Sequence, residues 1–162
     1  MGEDFTRSAG SAALGARLRR LSEQIDGDAA RVYAVRGIRF EQRWFGPLNQ
    51  IVRNGPSSVG EIAERLGITH VSVSQSIRSL EKAGLVKLAA DPHDGRRRLV
   101  GLSAAGRALA ADLADLWRAF DQAATALNDE AGDVIRSLDR LEEALSRQSL
   151  FERIGVMVDR RE

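Results

Sequence analysis

Three consecutive arginines, Arg96, Arg97 and Arg98, follow the turn-rich segment Asp91-Pro92-His93-Asp94-Gly95. A run of guanidiniums beside a turn concentrates donors and positive charge, which suits a phosphate backbone or the narrow minor groove of AT-rich DNA. Asp94 is placed to pair with Arg96 and hold the tip in shape. Strand alternation puts Arg97 opposite Arg96 and Arg98, so the three do not all reach one groove. A second constellation lies upstream, between Thr69 and Lys82. If Val73, Ile77 and Leu80 face a core, the opposite helix face carries Val71, Gln75, Arg78 and Lys82, flanked by Ser72, Ser74 and Ser79. No acid occurs on it before Glu81. Such a face fits a DNA major groove without steric or charge conflict. Gln75 suits an adenine edge, Val71 a thymine methyl, Arg78 a guanine or a phosphate, and Ser72 and Ser74 phosphates. Thr69 and His70 open the same helix and join the candidate DNA contacts. The alternative for the helix is a plain solvated face, and for the arginines a decorated solvent-facing strand.

Other chemistries find little material. There is no cysteine, so thiolate metal sites, disulfides and a cysteine nucleophile are excluded. The two histidines, His70 and His93, make a tight transition-metal sensor unexpected. The serines at 72, 74, 76 and 79 have no neighbouring base and no Gly-x-Ser-x-Gly setting. The pairs Asp112/Asp115 and Glu142/Glu143 read as solvated helix charges. The chain is therefore expected not to be an enzyme, and no cofactor or metal is expected.

The elements that must position the two basic constellations follow from apolar periods and caps. Leu14, Leu18, Leu21 and Ile25 recur at helical spacing from Ser11 onward, with a stop near Gly37. A second helical segment spans about 40–53 and is interrupted by Pro47. Asn54-Gly55-Pro56 terminates it. Ser58 and Glu61 form a capping box for a short helix that ends at Gly67. Thr69 caps the next helix, which stops at Gly84. Then the period changes: 85–88 and 96–102 read as two strands around the turn-rich tip. Ser103 caps a long helix carrying Leu109, Leu113, Leu116, Phe120 and Leu127, and Asn128 breaks it. A last helix carries Val134, Leu138, Leu141 and Leu145.

Helix, short turn, helix and hairpin describe a winged helix-turn-helix. The expected fold class is mainly α with a small β-hairpin wing. The 162 residues suit about one domain, and 43% hydrophobic with 29% charged residues allows a buried core. No apolar run reaches the ~18 residues that would span a membrane, and no secretory h-region follows the N-terminus. A cytoplasmic protein without membrane partners is expected. Net charge is +1, distributed as +3 over 1–56, +2 over 57–102 and −4 over 103–162. The first two thirds thus retain a basic surface. Of the 24 basic residues all but Lys82 and Lys87 are arginine, a bias often set by a GC-rich genome rather than by function.

The run SVGEIAERLGI, the helix ending LEKAGLV and the wing DPHDGRRRLVGLSAAG together resemble the MarR (multiple antibiotic resistance regulator) family of bacterial transcription factors. The last segment is similar to that family's Asp-Pro-x-Asp-x-Arg…Leu-Ser/Thr-x-x-Gly pattern. The likeness covers roughly residues 11–148. It implies a homodimer whose terminal helices intertwine, here 11–36 and 104–148, around a DNA-binding lobe at 38–103. Residues 1–10 are then a flexible tail and 149–162 a C-terminal extension. The dimer face would hold Leu14, Leu18, Leu21 and Ile25 with Leu113, Leu116, Leu138, Leu141 and Leu145. A monomeric helical core would give the same period. The resemblance also implies that Arg96 enters the minor groove beside Asp94, and that the partner is double-stranded DNA bearing an inverted repeat. Many members carry Arg where Gln75 stands, which puts the base preference here apart from theirs.

The segments FEQRWFGPL and LRRLSEQIDGDAARVY resemble more narrowly the regulator half of MarR–acetyltransferase fusions. The chain ends at Glu162, so it is expected to be a stand-alone relative or one domain of a larger product. Family members often bind small aromatic or anionic effectors. Tyr33, Arg36, Arg43, Trp44, Phe45 and Trp117 are the candidate ligand-binding residues, against the plainer reading of core aromatics and solvated arginines. The family reading is a regulator, in the main a repressor. A winged-helix interaction module without specific DNA binding is the alternative.

Overall fold

The structure is a computed structural model that describes residues 4–159. It divides into two compact units, Met1–Ala110 and Ala111–Glu162. No helix among the described residues is long and apolar enough to cross a membrane.

The first unit opens with a short helix, α1 (Phe5–Ser8), and a 3-10 turn at Gly10–Ala13. The Asp4 carboxylate caps α1 by accepting from the Thr6 N–H at 3.1 Å. Part of the segment read as a loose tail is therefore helical, and residues 1–3 lie outside the described residues. Helix α2 (Leu14–Val35) runs through Gly27 without a break. A 3-10 turn at Gln42–Trp44 leads into α3 (Phe45–Asn54). Pro47 thus sits in the first turn of α3, where a missing N–H leaves no gap in the ladder.

Helix α4 (Val59–Leu66) carries the expected capping box. The Ser58 hydroxyl accepts from the Glu61 N–H at 3.3 Å, and the Ser58 N–H donates to Glu61 Oε2 at 2.8 Å. Gly67 closes α4 in the left-handed region at φ 62°, which glycine adopts without a Cβ penalty. The Ile68 N–H reaches back to the Ala63 carbonyl at 3.2 Å and completes the turn. Helix α5 (His70–Lys82) follows, with Thr69 as its N-cap, accepting from the Ser72 N–H at 3.2 Å.

Strands β1 (Val86–Ala90) and β2 (Arg98–Leu102) form an antiparallel hairpin with Leu88 paired to Val100. Ser57 adds a one-residue bridge on the free side of β2: its N–H donates to the Val100 carbonyl at 3.1 Å, and the Val100 N–H donates back at 2.9 Å. The core of this unit holds Leu48, Ile62, Val73, Leu80 and Val100, all fully buried. Each stabilises the lobe by roughly 1.5–3 kcal/mol through apolar burial. Together they join α3, α4, α5 and the middle of β2 around one core.

The long helix α6 (Ala104–Glu130) begins in the first unit and continues into the second. It runs two residues past Asn128. That side chain organises the next turn instead of breaking the helix: its Oδ1 accepts from the Ile135 N–H at 2.9 Å. Helix α7 (Val134–Arg147) is capped by Asp133, which accepts from the Arg136 N–H at 3.3 Å. A further helix, α8 (Leu150–Asp159), occupies the segment read only as an extension. Ser149 and Glu152 make its capping box, and the Arg153 guanidinium donates to the Ala144 carbonyl at 2.8 Å, tying α8 to the end of α7.

The apolar stripe on α2 is not buried within the single chain. Leu14, Leu18, Leu21 and Ile25 are 48%, 38%, 49% and 56% exposed in the single chain. Leu145 is also exposed, Leu116, Leu138 and Leu141 are half-buried, and Leu113 is buried. Helical period reports that a face is apolar, not that the chain covers it.

Candidate nucleic-acid interface

Helix α5 is held from below by Val73, Ser76, Ile77 and Leu80, all buried. Its outer face therefore points to solvent along the whole helix. Thr69, His70, Val71, Ser72, Gln75, Arg78 and Lys82 are exposed and Ser74 is half-buried. Val71 is 63% exposed on this face. Several polar groups of the face are pre-oriented. The Thr69 and Ser72 hydroxyls lie 2.9 Å apart, Ser74 Oγ lies 3.4 Å from His70 Nδ1, and Arg78 Nε donates to the Ser74 carbonyl at 3.2 Å. The structure thus brings the predicted helix residues to one surface.

The wing tip is shaped by two aspartates acting on backbone. Asp91 Oδ1 accepts from the His93 N–H at 2.9 Å, and Asp94 Oδ1 accepts from the Arg96 N–H at 3.0 Å. The expected Asp94–Arg96 side-chain pair is replaced by this backbone contact, because Arg96 lies in the turn before β2 starts at Arg98. Alternation does not apply there, and the expectation that Arg97 simply opposes its two neighbours lapses with it. All three arginines are exposed. Among the described residues the wing's ion pairs run through Arg97, whose Nη2 lies 2.9 Å from Glu61 Oε1 and whose Nε lies 3.9 Å from Asp91 Oδ2. The Glu61 carboxylate is held down to about 2 by the Ser58 N–H and then by Arg97.

The wing's base is locked to the start of α6. The Ser103 hydroxyl donates to the Gly84 carbonyl at 2.6 Å and accepts from the Gly106 N–H at 2.9 Å. The Ser103 N–H donates to the Leu85 carbonyl at 3.0 Å. This accounts physically for the Leu-Ser-x-x-Gly run: serine serves both helix cap and strand end, and glycine leaves room for the Leu85 backbone.

The candidate ligand residues divide. Tyr33 and Trp44 are buried in one aromatic cluster with Phe40, at centroid distances of 4.7 Å for Tyr33–Phe40 and 5.7 Å for Phe40–Trp44. Phe45 is half-buried at the start of α3, and Arg36 is exposed. Trp117 is half-buried on α6 in the second unit. Arg43 is committed elsewhere: its Nε lies 2.6 Å from Glu41 Oε2 and its Nη2 donates to Ser79 Oγ at 3.2 Å. Sequence reasoning missed both this link and the Arg97–Glu61 pair, since neither has a local signal. The Trp44 Nε1 and Gln42 Oε1 atoms are buried without a hydrogen-bond partner among the described residues. No cluster of three or more His, Cys, Asp or Glu side chains among those residues is placed to hold a metal ion.

The profile of the MarR family matches residues 40–97. A search of curated proteins finds no match. Among solved structures, the chain is similar to a probable transcriptional regulator from Pseudomonas aeruginosa, at 28% identity and TM-score 0.62 over 79% of this chain and 96% of that one. It is similar in fold to the S. aureus protein MepR, solved as a DNA complex, at 19% identity and TM-score 0.67 over 81% and 97% of the two chains. It also resembles in fold the PcaV transcriptional regulator from Streptomyces coelicolor, solved with its natural ligand, at 20% identity and TM-score 0.64 over 89% and 98%. The likeness to the MarR family thus runs over residues 40–97, from the start of the helical segment before α3 to the end of the wing tip, and the solved neighbours share the helical fold with its two-stranded hairpin.

Proposed function

We propose that the chain is a sequence-specific, double-stranded DNA-binding repressor that works as a homodimer on an inverted-repeat operator. One observation carries the reading: the exposed, acid-free face of α5 from Thr69 to Arg78 belongs to the same unit as an exposed arginine wing. In the proposed complex Gln75, Val71 and Arg78 meet base edges. Thr69, His70, Ser72, Ser74 and Lys82 meet the backbone or flanking edges. Arg96, shaped by Asp94, enters the minor groove, and Arg98 adds positive charge at the start of β2.

The homodimer is supported by the uncovered apolar stripe on α2. A groove of about 480 Å³ along it is lined by Leu14, Leu18 and Leu21. In the second unit Phe151 and Met157 of α8 are 86% and 68% exposed. Apolar faces of this extent mark interfaces in proteins that remain in solution. A two-fold pair would set two recognition helices about 34–36 Å apart, one helical turn of DNA.

An effector is the least developed part of the reading. The buried Trp44 indole N–H lacks an acceptor among the described residues, a deficit of about 1–3 kcal/mol that a small aromatic acid or another anion reaching it would relieve. Such a ligand would act by its different affinity for the DNA-competent and incompetent arrangements. The narrower likeness to acetyltransferase fusions gains no support from the profile match or from these neighbours.

The test is selection of genomic DNA fragments by the purified protein, with each recovered duplex titrated by fluorescence anisotropy at two salt concentrations. Recovery of an inverted repeat with half-sites about 10 bp apart, bound by two protomers, is the expected result. An empty selection, or binding indifferent to sequence, overturns it in favour of a protein-interaction module.

A further inference from the structure

The three wing arginines do not share one role. Arg96 stands exposed at the tip, where its backbone N–H donates to Asp94 and its guanidinium has no ion pair among the described residues. Arg98 opens β2. Arg97 instead turns back across the lobe: its guanidinium lies 2.9 Å from Glu61 Oε1 and donates to Ser58 Oγ at 3.2 Å, on a residue 39 positions earlier in the chain. Ser58 and Glu61 are the capping box of α4. The wing near its tip is therefore tied to the N-terminus of the first helix of the helix-turn-helix.

Two further anchors of the hairpin lie farther from its tip, Ser57–Val100 at the middle of β2 and Gly84–Ser103 at the base. A two-stranded ribbon held only there would keep freedom at its tip. Direct use of Arg97 on DNA carries a penalty as well. Leaving Glu61 for a phosphate would strand a carboxylate beside the nucleic acid, where like charges repel.

We propose that Arg97 is a positioning residue for DNA binding: its clamp onto Glu61 and Ser58 fixes the wing so that Arg96 is presented to the groove, and Arg97 itself touches no phosphate. This rests on the DNA-binding reading above. The same clamp neutralises one of the three wing charges, so the wing's contribution to counterion release comes from Arg96 and Arg98.

The two roles for Arg97 predict opposite signs for one substitution. Glu61→Gln removes the ion pair yet preserves the capping box, since glutamine serves at that position. If Arg97 positions the wing, Glu61→Gln weakens binding. If Arg97 contacts DNA directly, the same change frees it and strengthens binding. The duplex recovered from genomic selection is the probe, titrated by anisotropy across a salt series for the wild type, Arg97→Ala, Glu61→Gln, the double variant and Arg96→Ala. Folding of each is checked by circular dichroism. The expected result is an affinity loss of about fivefold for each of Arg97→Ala and Glu61→Gln, the scale of a partly exposed ion pair. The double variant should be no weaker than either single one, and neither should alter the salt slope. Arg96→Ala should lower that slope by about 0.9. A similar drop in slope for Arg97→Ala, or tighter binding by Glu61→Gln, overturns the proposal. If the folded wild type binds no duplex at all, the DNA-binding reading has failed and takes the positioning role with it. That outcome is distinct from failure of the clamp alone, in which the wild type binds and Glu61→Gln does not weaken it.

Discussion

The Arg43 guanidinium donates to the Ser79 hydroxyl at 3.2 Å, joining the segment ahead of α3 to the flank of α5. Glu41 completes the link, accepting from Arg43 Nε at 2.6 Å and from the Ser79 hydroxyl at 3.4 Å. The aromatic cluster of Tyr33, Phe40 and Trp44 brackets this segment in sequence. Ser79→Ala should cost under about 1 kcal/mol in urea unfolding, as expected for exposed polar links. A double-mutant cycle with Arg43→Ala should show the two losses to be coupled, and full additivity would refute the link.

Gly106 allows no side chain. A Cβ there would collide with the Leu85 backbone carbonyl, which cannot swing away as a flexible side chain can. Gly106→Ala should push α6 off the base of the wing and destabilise the first unit by about 1–3 kcal/mol, the range for overpacking. Urea denaturation measures it, and a change under ~0.5 kcal/mol would show that the junction relaxes freely.

Much of the lobe was legible in sequence because its signals are local. Ser58 and Glu61, three residues apart, announced α4, and Thr69 announced α5. The same Ser-x-x-Glu pattern at Ser149 and Glu152 announces α8, and Leu150, Ile154 and Met157 recur behind it at spacings of 4 and 3, so the segment expected as an extension carries local helix signals too. Arg97–Glu61 and Arg43–Ser79 were not legible, since nothing in spacing says which of many arginines meets which distant partner. The α2 stripe was legible as apolar but not as uncovered, because period does not distinguish a face buried within a chain from one left for a second copy.

Glu61 should also leave a mark on acid stability. Its carboxyl in the folded chain is held down to about 2, by the Ser58 N–H first and the Arg97 guanidinium next, from an ordinary value of 4.5. A lowered folded value means that the charged form stabilises the fold. That contribution is complete above about pH 4.5 and is lost as the pH falls from there through about 2. Urea midpoints measured across this window should fall with acidification in the wild type and fall less steeply in Glu61→Gln. Parallel curves would show that Glu61 titrates alike in the folded and unfolded chains.

Gln75 is exposed near the middle of α5, on the face opposite Val73 and Leu80. An amide there accepts and donates to one adenine edge, whereas an alanine methyl does neither. Gln75→Ala should relax preference at one base pair of each half-site, by about 1–3 kcal/mol of discrimination, while leaving the salt slope intact. Selection repeated with the variant reads the first effect and anisotropy the second. A uniform loss across all sequences would place Gln75 on the backbone instead.

The stripe on α2 makes the last prediction. Leu21 is 49% exposed, with Leu18 three residues before it and Ile25 four residues after. In a monomer, Leu21→Glu puts a charge on an already wet face, and surface changes of that kind stay within about 0.5 kcal/mol. In a two-fold dimer built on this face the same residue enters the interface once from each chain, so two carboxylates are desolvated without partners and the association is lost. Light scattering on a sizing column should therefore find the wild type at twice the chain mass and Leu21→Glu at the chain mass. Circular dichroism should show the helices retained. Operator binding should weaken by far more than Leu21 could contribute directly, because a single lobe keeps one half-site and forfeits the gain from linking two. A wild-type protein that runs as a monomer at all concentrations would remove the dimer from the mechanism and leave the α2 face without a role in it.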